Sequence, residues 1–188
     1  MNEKIIALGD SLTLGYPFNE EKSWVAILRE EHALNILNKG INGDTTEGML
    51  ERFESDVVKQ HPDLVIITGG ANDAFNFVPV QDMIYNYREM IRIALDNDIV
   101  PIIGITLPVD DEFAERKLKK FRIRIWEYCE EHGLHRIDFY SELLDTKTGL
   151  IKELYDFDGL HPNPEGYRAM ARTAWNVLKC ILNRGSCN

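Results

Sequence analysis

Short apolar runs alternate with longer amphipathic segments along this chain, and that alternation limits its fold more than any other feature. The runs cover residues 5–8, 34–37, 64–68, 100–105 and, more weakly, 136–139. Most are β-branched, and each is followed within a few positions by Gly, Asn, Pro or another turn-prone residue. Strands covered on both faces read this way, because neither face has to meet water. Between the runs, apolar side chains recur at helical spacing. Residues 23–31 carry Trp24, Ile27 and Leu28, and residues 46–60 carry Met49, Leu50, Phe53 and Val57. Residues 80–97 carry Met83, Ile84, Tyr87, Ile91 and Leu95, and residues 112–132 carry Leu118, Phe121, Ile125 and Cys129. A last helix takes Asn163 as N-cap and Pro164 at its first position, and runs to about Leu182. The alternation predicts an α/β chain, a mainly parallel five-stranded sheet with helices on both faces. Crossovers are then right-handed, and ligands bind at the carboxyl ends of the strands.

At 188 residues and 44% apolar side chains, the chain is expected to form one domain over residues 1–188, with residues 183–188 as a frayed tail. The formal net charge of -10, from 31 acidic and 21 basic side chains, disfavours nucleic acid and anionic membranes as partners. Residues 116–124 are locally basic and read as a solvated helix face. Cys129, Cys180 and Cys187 contain no C-x-x-C pair, so free thiols in a reducing compartment are expected, with no disulfide framework and no zinc site. The apolar run after Met1-Asn2-Glu3-Lys4 is too short for a signal peptide, and no stretch has the length of a membrane span. The expected location is the cytoplasm.

The chemistry sits after the strands. Ser11 lies in Gly9-Asp10-Ser11-Leu12-Thr13, directly after the first run. A serine hydroxyl needs a base before it is a good nucleophile. A serine there also serves as a helix N-cap. Near the other end, Asp158-Gly159-Leu160-His161-Pro162 places a carboxylate three residues before an imidazole. One turn then lets Asp158 accept the Nδ1–H of His161, which leaves Nε2 free to take a proton from Ser11. The plainer alternative is a capping Asp beside a solvated His. His32 and His132 fall near helix C-termini, His61 precedes a proline, and His135 begins the weak run. Gly43 follows the second run and Asn72 follows the third. Either can be turn punctuation. Either can also donate to an oxyanion, Gly43 through a closely approaching N–H and Asn72 through its amide. Asp10 and Asp73 read as structural acceptors for loop N–H groups. Phe75, Phe77 and Val78 after Asn72, and Leu107, Pro108 and Val109 after the fourth run, are candidates for a substrate pocket. Short loops leave little room for a large lid. The chain has no G-x-S-x-G elbow, P-loop or G-x-G-x-x-G pattern.

In their joint order these blocks resemble the SGNH (GDSL-type) hydrolase family. The matching residues are Ser11 in Gly9-Asp10-Ser11-Leu12, Gly43 in Asn42-Gly43-Asp44, Asn72 in Gly70-Ala71-Asn72-Asp73, and His161 with Asp158 in Asp158-Gly159-Leu160-His161. The resemblance implies a flavodoxin-like three-layer α/β/α fold. It also implies hydrolysis of a small-molecule acyl ester or thioester with no cofactor and no metal. Ser11, Asp158 and His161 would be catalytic, with Ser11, Gly43 and Asn72 forming the oxyanion hole. The competing expectation is a non-catalytic α/β domain that binds a small molecule or phosphate at the small-residue stretch 9–15.

Overall fold

The computed structural model describes residues 3–183. Five strands form the centre: β1 (Lys4–Gly9), β2 (Asn35–Gly40), β3 (Leu64–Thr68), β4 (Val100–Gly104) and β5 (His135–Ile137). They lie in the order β2-β1-β3-β4-β5, and every neighbouring pair is parallel. That is the flavodoxin-like order, with its switch point between β1 and β3. Alternate residues of each inner strand face opposite cores. Ile5, Ala7, Leu64, Ile66 and Ile102 join one buried cluster; Ile6, Leu8, Val65, Ile67 and Ile103 join the other. Two apolar faces per strand explain why the runs look continuous and not alternating.

One face is covered by α2 (Trp24–His32), α8 (Phe139–Leu143) and α9 (Pro164–Leu182). The other is covered by α3 (Thr46–Glu51), α4 (Phe53–Asp56), α6 (Val80–Asp96) and α7 (Glu112–Glu131). The short helices α1 (Ser11–Leu14) and α5 (Ala71–Phe75) start directly after β1 and β3. Side-chain caps set several starts. Ser23 accepts from Ala26 N, Asp111 from Ala114 N, and Asn163 from Gly166 N.

The structure differs from the sequence reading in several places. The helix expected over 46–60 breaks at Arg52, whose backbone (φ -94°, ψ 3°) leaves the helical region while its side chain bonds to neighbouring loops. Residues 58–60 then form only a 3₁₀ turn. Strand β2 runs three residues past the apolar stretch, because Asn38 finds partners in Thr13 O and Ser23 Oγ. Phe139 begins α8 and does not end β5. The segment 144–163 is a long connection, tied by the bridges Leu144–Ile151 and Asp156–Pro162, so the expectation of short loops fails there. The basic stretch is not wholly solvated either. Arg122 is 5% exposed, pairs with Glu115, and donates to Leu107 O. Cys180 is disulfide-bonded, so the expectation of free thiols fails at that residue and gives no argument for a reducing compartment. Cys129 is free and buried. Cys187, and the stretch expected to fray apart from Asn183, lie outside the described residues. Among the described residues no helix is long and apolar enough to cross a membrane.

Candidate active site

Ser11 is the first residue of α1, and Asp10 caps that helix by accepting from Leu12 N at 3.0 Å. The capping role is thus taken by Asp10, and the serine hydroxyl is left for other work. Ser11 Oγ lies 3.0 Å from His161 Nε2. His161 Nδ1 lies 2.9 Å from Asp158 Oδ2 and 3.2 Å from Oδ1. Residues 150 apart in sequence therefore form one hydrogen-bonded chain from hydroxyl to carboxylate. Asp158 Oδ1 also accepts from the backbone N–H of Leu160 and of His161. Burial pushes the Asp158 carboxyl up, but the His161 and Leu160 hydrogen bonds and the imidazole charge outweigh it and hold it below the usual range. The carboxylate is thereby kept charged beside the imidazole.

The loop carrying this pair is held from several sides. Gly159 N donates to Asp156 Oδ1, Asp110 N donates to Gly159 O, and Phe157 N donates to His161 O. The ring of Tyr16 lies against His161 with centroids 4.5 Å apart. Tyr167 from α9 donates its hydroxyl to Tyr16 O.

On the other side of Ser11 lie Gly43 and Asn72. Both line one open cleft of about 250 Å³ with Ser11, Tyr16, Asn42, Asp158, Leu160 and His161. Gly43 has φ +75°, and a side chain added there would meet nothing within 4 Å. The backbone conformation, not lack of space, is what asks for glycine. Asn72 Nδ2 donates one hydrogen to Asp44 O at 2.8 Å, which fixes the amide and leaves its second hydrogen unused by that bond. Among the described residues no acceptor takes the N–H of Ser11 or of Gly43. Polar bonds pin the two loops together. Asp73 accepts from Thr46 N and Thr46 Oγ1, Asn86 donates to that same Oγ1, and Tyr87 donates to Gly69 O.

The expected pocket residues are not brought to this cleft. Phe77 is 70% exposed and packs against Phe113. Phe75 is exposed, Val78 packs against the core on the α6 and α7 side, and Leu107, Pro108 and Val109 are buried. Leu160 and Tyr16 line the cleft in their place. Leu160 was visible inside its motif, whereas nothing about Tyr16 marked it in the sequence.

Asp10 adds an electrostatic feature. Its Oδ2 is buried with no hydrogen-bond partner among the described residues. Burial, opposed by the Leu12 N–H and reinforced by Asp73 and Asp44, pushes its carboxyl from the ordinary 3.8 up to about 7. Between those values the unfolded chain has released a proton that the folded protein keeps. Stability from this group therefore falls as pH rises through that window and levels off above it. Asp10→Asn removes the titration and keeps the acceptor for Leu12 N. The melting temperature of Asp10→Asn minus that of the wild type is expected to grow from about pH 4.5 to 7. A difference that stays flat across this range would show that Asp10 does not hold the proton.

Comparisons with known proteins agree with this geometry. Residues 7–169 match the model of the GDSL-like Lipase/Acylhydrolase family. The chain is 31% identical over 169 residues to the arylesterase of Vibrio mimicus, covering 87% of this chain and 82% of that protein. It is 24% identical over 188 residues to thioesterase 1/protease 1/lysophospholipase L1 of Escherichia coli K12, covering 98% of this chain and 87% of that one. A solved structure of a G-D-S-L family protein from Desulfitobacterium hafniense DCB-2 superposes with a TM-score of 0.88 at 33% identity, over 94% of this chain and 99% of that one. A match that runs from β1 into α9 across the same sheet means that the chain belongs to the GDSL-like lipase/acylhydrolase family.

Proposed function

We propose that the protein hydrolyses carboxylic esters, thioesters among them, through an acyl-enzyme on Ser11, with residues 1–188 acting as one catalytic domain. The observation that carries this reading is the continuous chain from Ser11 Oγ through His161 to Asp158. Ser11 Oγ attacks the acyl carbonyl while its proton passes to His161 Nε2. Asp158 holds Nδ1–H and balances the imidazolium that forms. The N–H groups of Ser11 and Gly43 and the amide of Asn72 face the oxygen that gains charge. The tetrahedral intermediate collapses, and His161 returns the proton to the departing alcohol or thiol. Water, deprotonated by His161, then cleaves the acyl-serine, and the proton goes back to Ser11. A domain that only binds a phosphate or small molecule has no use for an imidazole held between a hydroxyl and a carboxylate, so the non-catalytic alternative is not favoured.

Among the described residues no three His, Cys, Asp or Glu side chains gather where a metal could be held. Turnover of p-nitrophenyl acetate is expected to proceed unchanged in the presence of EDTA. Loss of activity on chelation, restored by zinc or manganese, would overturn a mechanism carried by side chains alone. Acyl and alcohol preference can be read from a panel of esters of graded chain length, acetylated sugars and acyl-CoA.

A further inference from the structure

Arg52 makes contacts that the proposed mechanism does not yet use. Its side chain is 14% exposed and its guanidinium reaches three acceptors. Nε donates to Asp44 Oδ2 at 2.8 Å, one terminal nitrogen donates to Asp56 Oδ2 at 2.8 Å, and the other donates to Gly9 O at 3.0 Å. Gly9 O lies two residues before Ser11. Asp44 follows Gly43 directly, and its carbonyl is the acceptor that orients the amide of Asn72. One planar cation thus ties the strand end before Ser11 to the loop that carries Gly43, and it reaches the amide of Asn72 through Asp44.

From this arrangement we propose that Arg52 is a positioning residue for the oxyanion hole, an inference that rests on the oxyanion role proposed for Gly43 and Asn72. The fork matters because each nitrogen points in a fixed direction, so the three acceptors are held at set angles to one another. A lysine offers one compact charge on a flexible stem and cannot hold all three. Asp44 passes the constraint on in two ways. Its carboxylate is fixed by Arg52 Nε, and its backbone is also fixed by donation from its N–H to Ile41 O. Its carbonyl direction, and with it the Asn72 amide, follows. A donor displaced by about 1 Å can cost on the order of a hundredfold in rate. Such a displacement weakens binding of the transition state, in which the oxygen has moved onto the donors, more than binding of the ester.

The test is steady-state kinetics on p-nitrophenyl acetate, with melting temperatures, for Arg52→Lys, Asp56→Asn, Asn72→Ala and the Arg52→Lys/Asn72→Ala double variant. Asp56 accepts from Arg52 and Lys39 but touches none of the proposed oxyanion donors, and Asp56→Asn keeps an oxygen for Arg52, so it is expected to lower the melting temperature and leave kcat as in the wild type. Arg52→Lys is expected to lower kcat about 10- to 100-fold with KM within about threefold. In the double variant the cost of Arg52→Lys should shrink, because the amide it positions is gone. Wild-type kcat in Arg52→Lys, a rise in KM in place of a fall in kcat, or full multiplication of the two effects would overturn the proposal. If Asn72→Ala itself keeps wild-type kcat, the oxyanion reading falls and this inference with it. If Asn72→Ala is slow while Arg52→Lys is not, only the role of Arg52 falls. Should Arg52→Lys fail to fold, Asp44→Asn carries the same test. An amide there can still turn its oxygen to Arg52 Nε, so Asp44→Ala, which removes that acceptor, runs beside it, and unchanged kcat in Asp44→Ala would be equally decisive against the clamp.

Discussion

Replacing Ser11 or His161 by Ala is expected to lower kcat on p-nitrophenyl acetate on the order of 10⁶-fold while leaving the fold intact. The two halves of that expectation have separate physical grounds. The loss is large because nucleophile and base act as a unit. Without the hydroxyl there is no acyl-enzyme, and without the imidazole the hydroxyl keeps its proton. The double variant should therefore be little slower than either single one, since the rate that remains comes from binding and the oxyanion donors. The fold should survive because neither side chain belongs to the two buried clusters, His161 meeting the ring of Tyr16 at the edge of the cleft. The partner that Ser11 Oγ meets is His161 Nε2, and removing both ends of that contact leaves no buried group stranded. Removing His161 alone leaves Asp158 with its backbone N–H partners and with a side chain 37% exposed to water. The measurement is kcat for the two single variants and the double, beside thermal melts. Wild-type turnover in Ser11→Ala would remove it as the nucleophile. A Ser11→Ala variant that is inactive because it no longer melts cooperatively would say nothing for the chemistry, which is why the melts belong to the test.

The parts of this site that could be read from the sequence share one property: each is a short block placed by the end of a strand. In a parallel sheet every strand ends at the same edge, so locating the runs at 5–8, 34–37 and 64–68 was enough to bring Ser11, Gly43 and Asn72 to one side. Asp158 and His161 were legible because their contact is local, three residues across one turn. Arg52 was not legible. Its acceptor Gly9 O is a backbone atom 43 residues away, and backbone acceptors carry no sequence signature. The same cause hid the break between α3 and α4, where apolar spacing continued through a residue whose side chain is drawn to the loops. Tyr16 was missed because its contact with His161 depends on how the chain leaves α1, not on residue type. The pocket residues were misplaced for the opposite reason. Following a strand end says which edge a residue occupies, but not which way it turns. Phe77 adopts φ +60° and is 70% exposed, and Pro108 is buried.

Asn72→Ala is expected to lower kcat by about 10²–10³, or roughly 3–4 kcal/mol of transition-state stabilisation, with a much smaller change in KM. The amide does two jobs, and the substitution removes both. One hydrogen goes to Asp44 O, so Asn72→Ala leaves that part-buried carbonyl short of a partner and should cost about 1–3 kcal/mol of stability. The other hydrogen is available to the cleft that Asn72 shares with Ser11 and Gly43. Its loss is felt only when the substrate oxygen has become tetrahedral and charged, because the ground-state carbonyl is not yet where the donors point. The two jobs separate by temperature. Well below the melting point nearly all of the variant is folded, so lost stability hardly alters turnover, whereas a lost transition-state contact lowers kcat at every temperature. The N–H groups of Ser11 and Gly43 remain and set a floor to the loss without abolishing it. Kinetics on one ester at about 20 °C below the variant's own melting temperature therefore decide the matter. A variant that melts earlier but keeps kcat within about threefold would confine Asn72 to the turn it shares with Asp44 and remove it from the oxyanion hole.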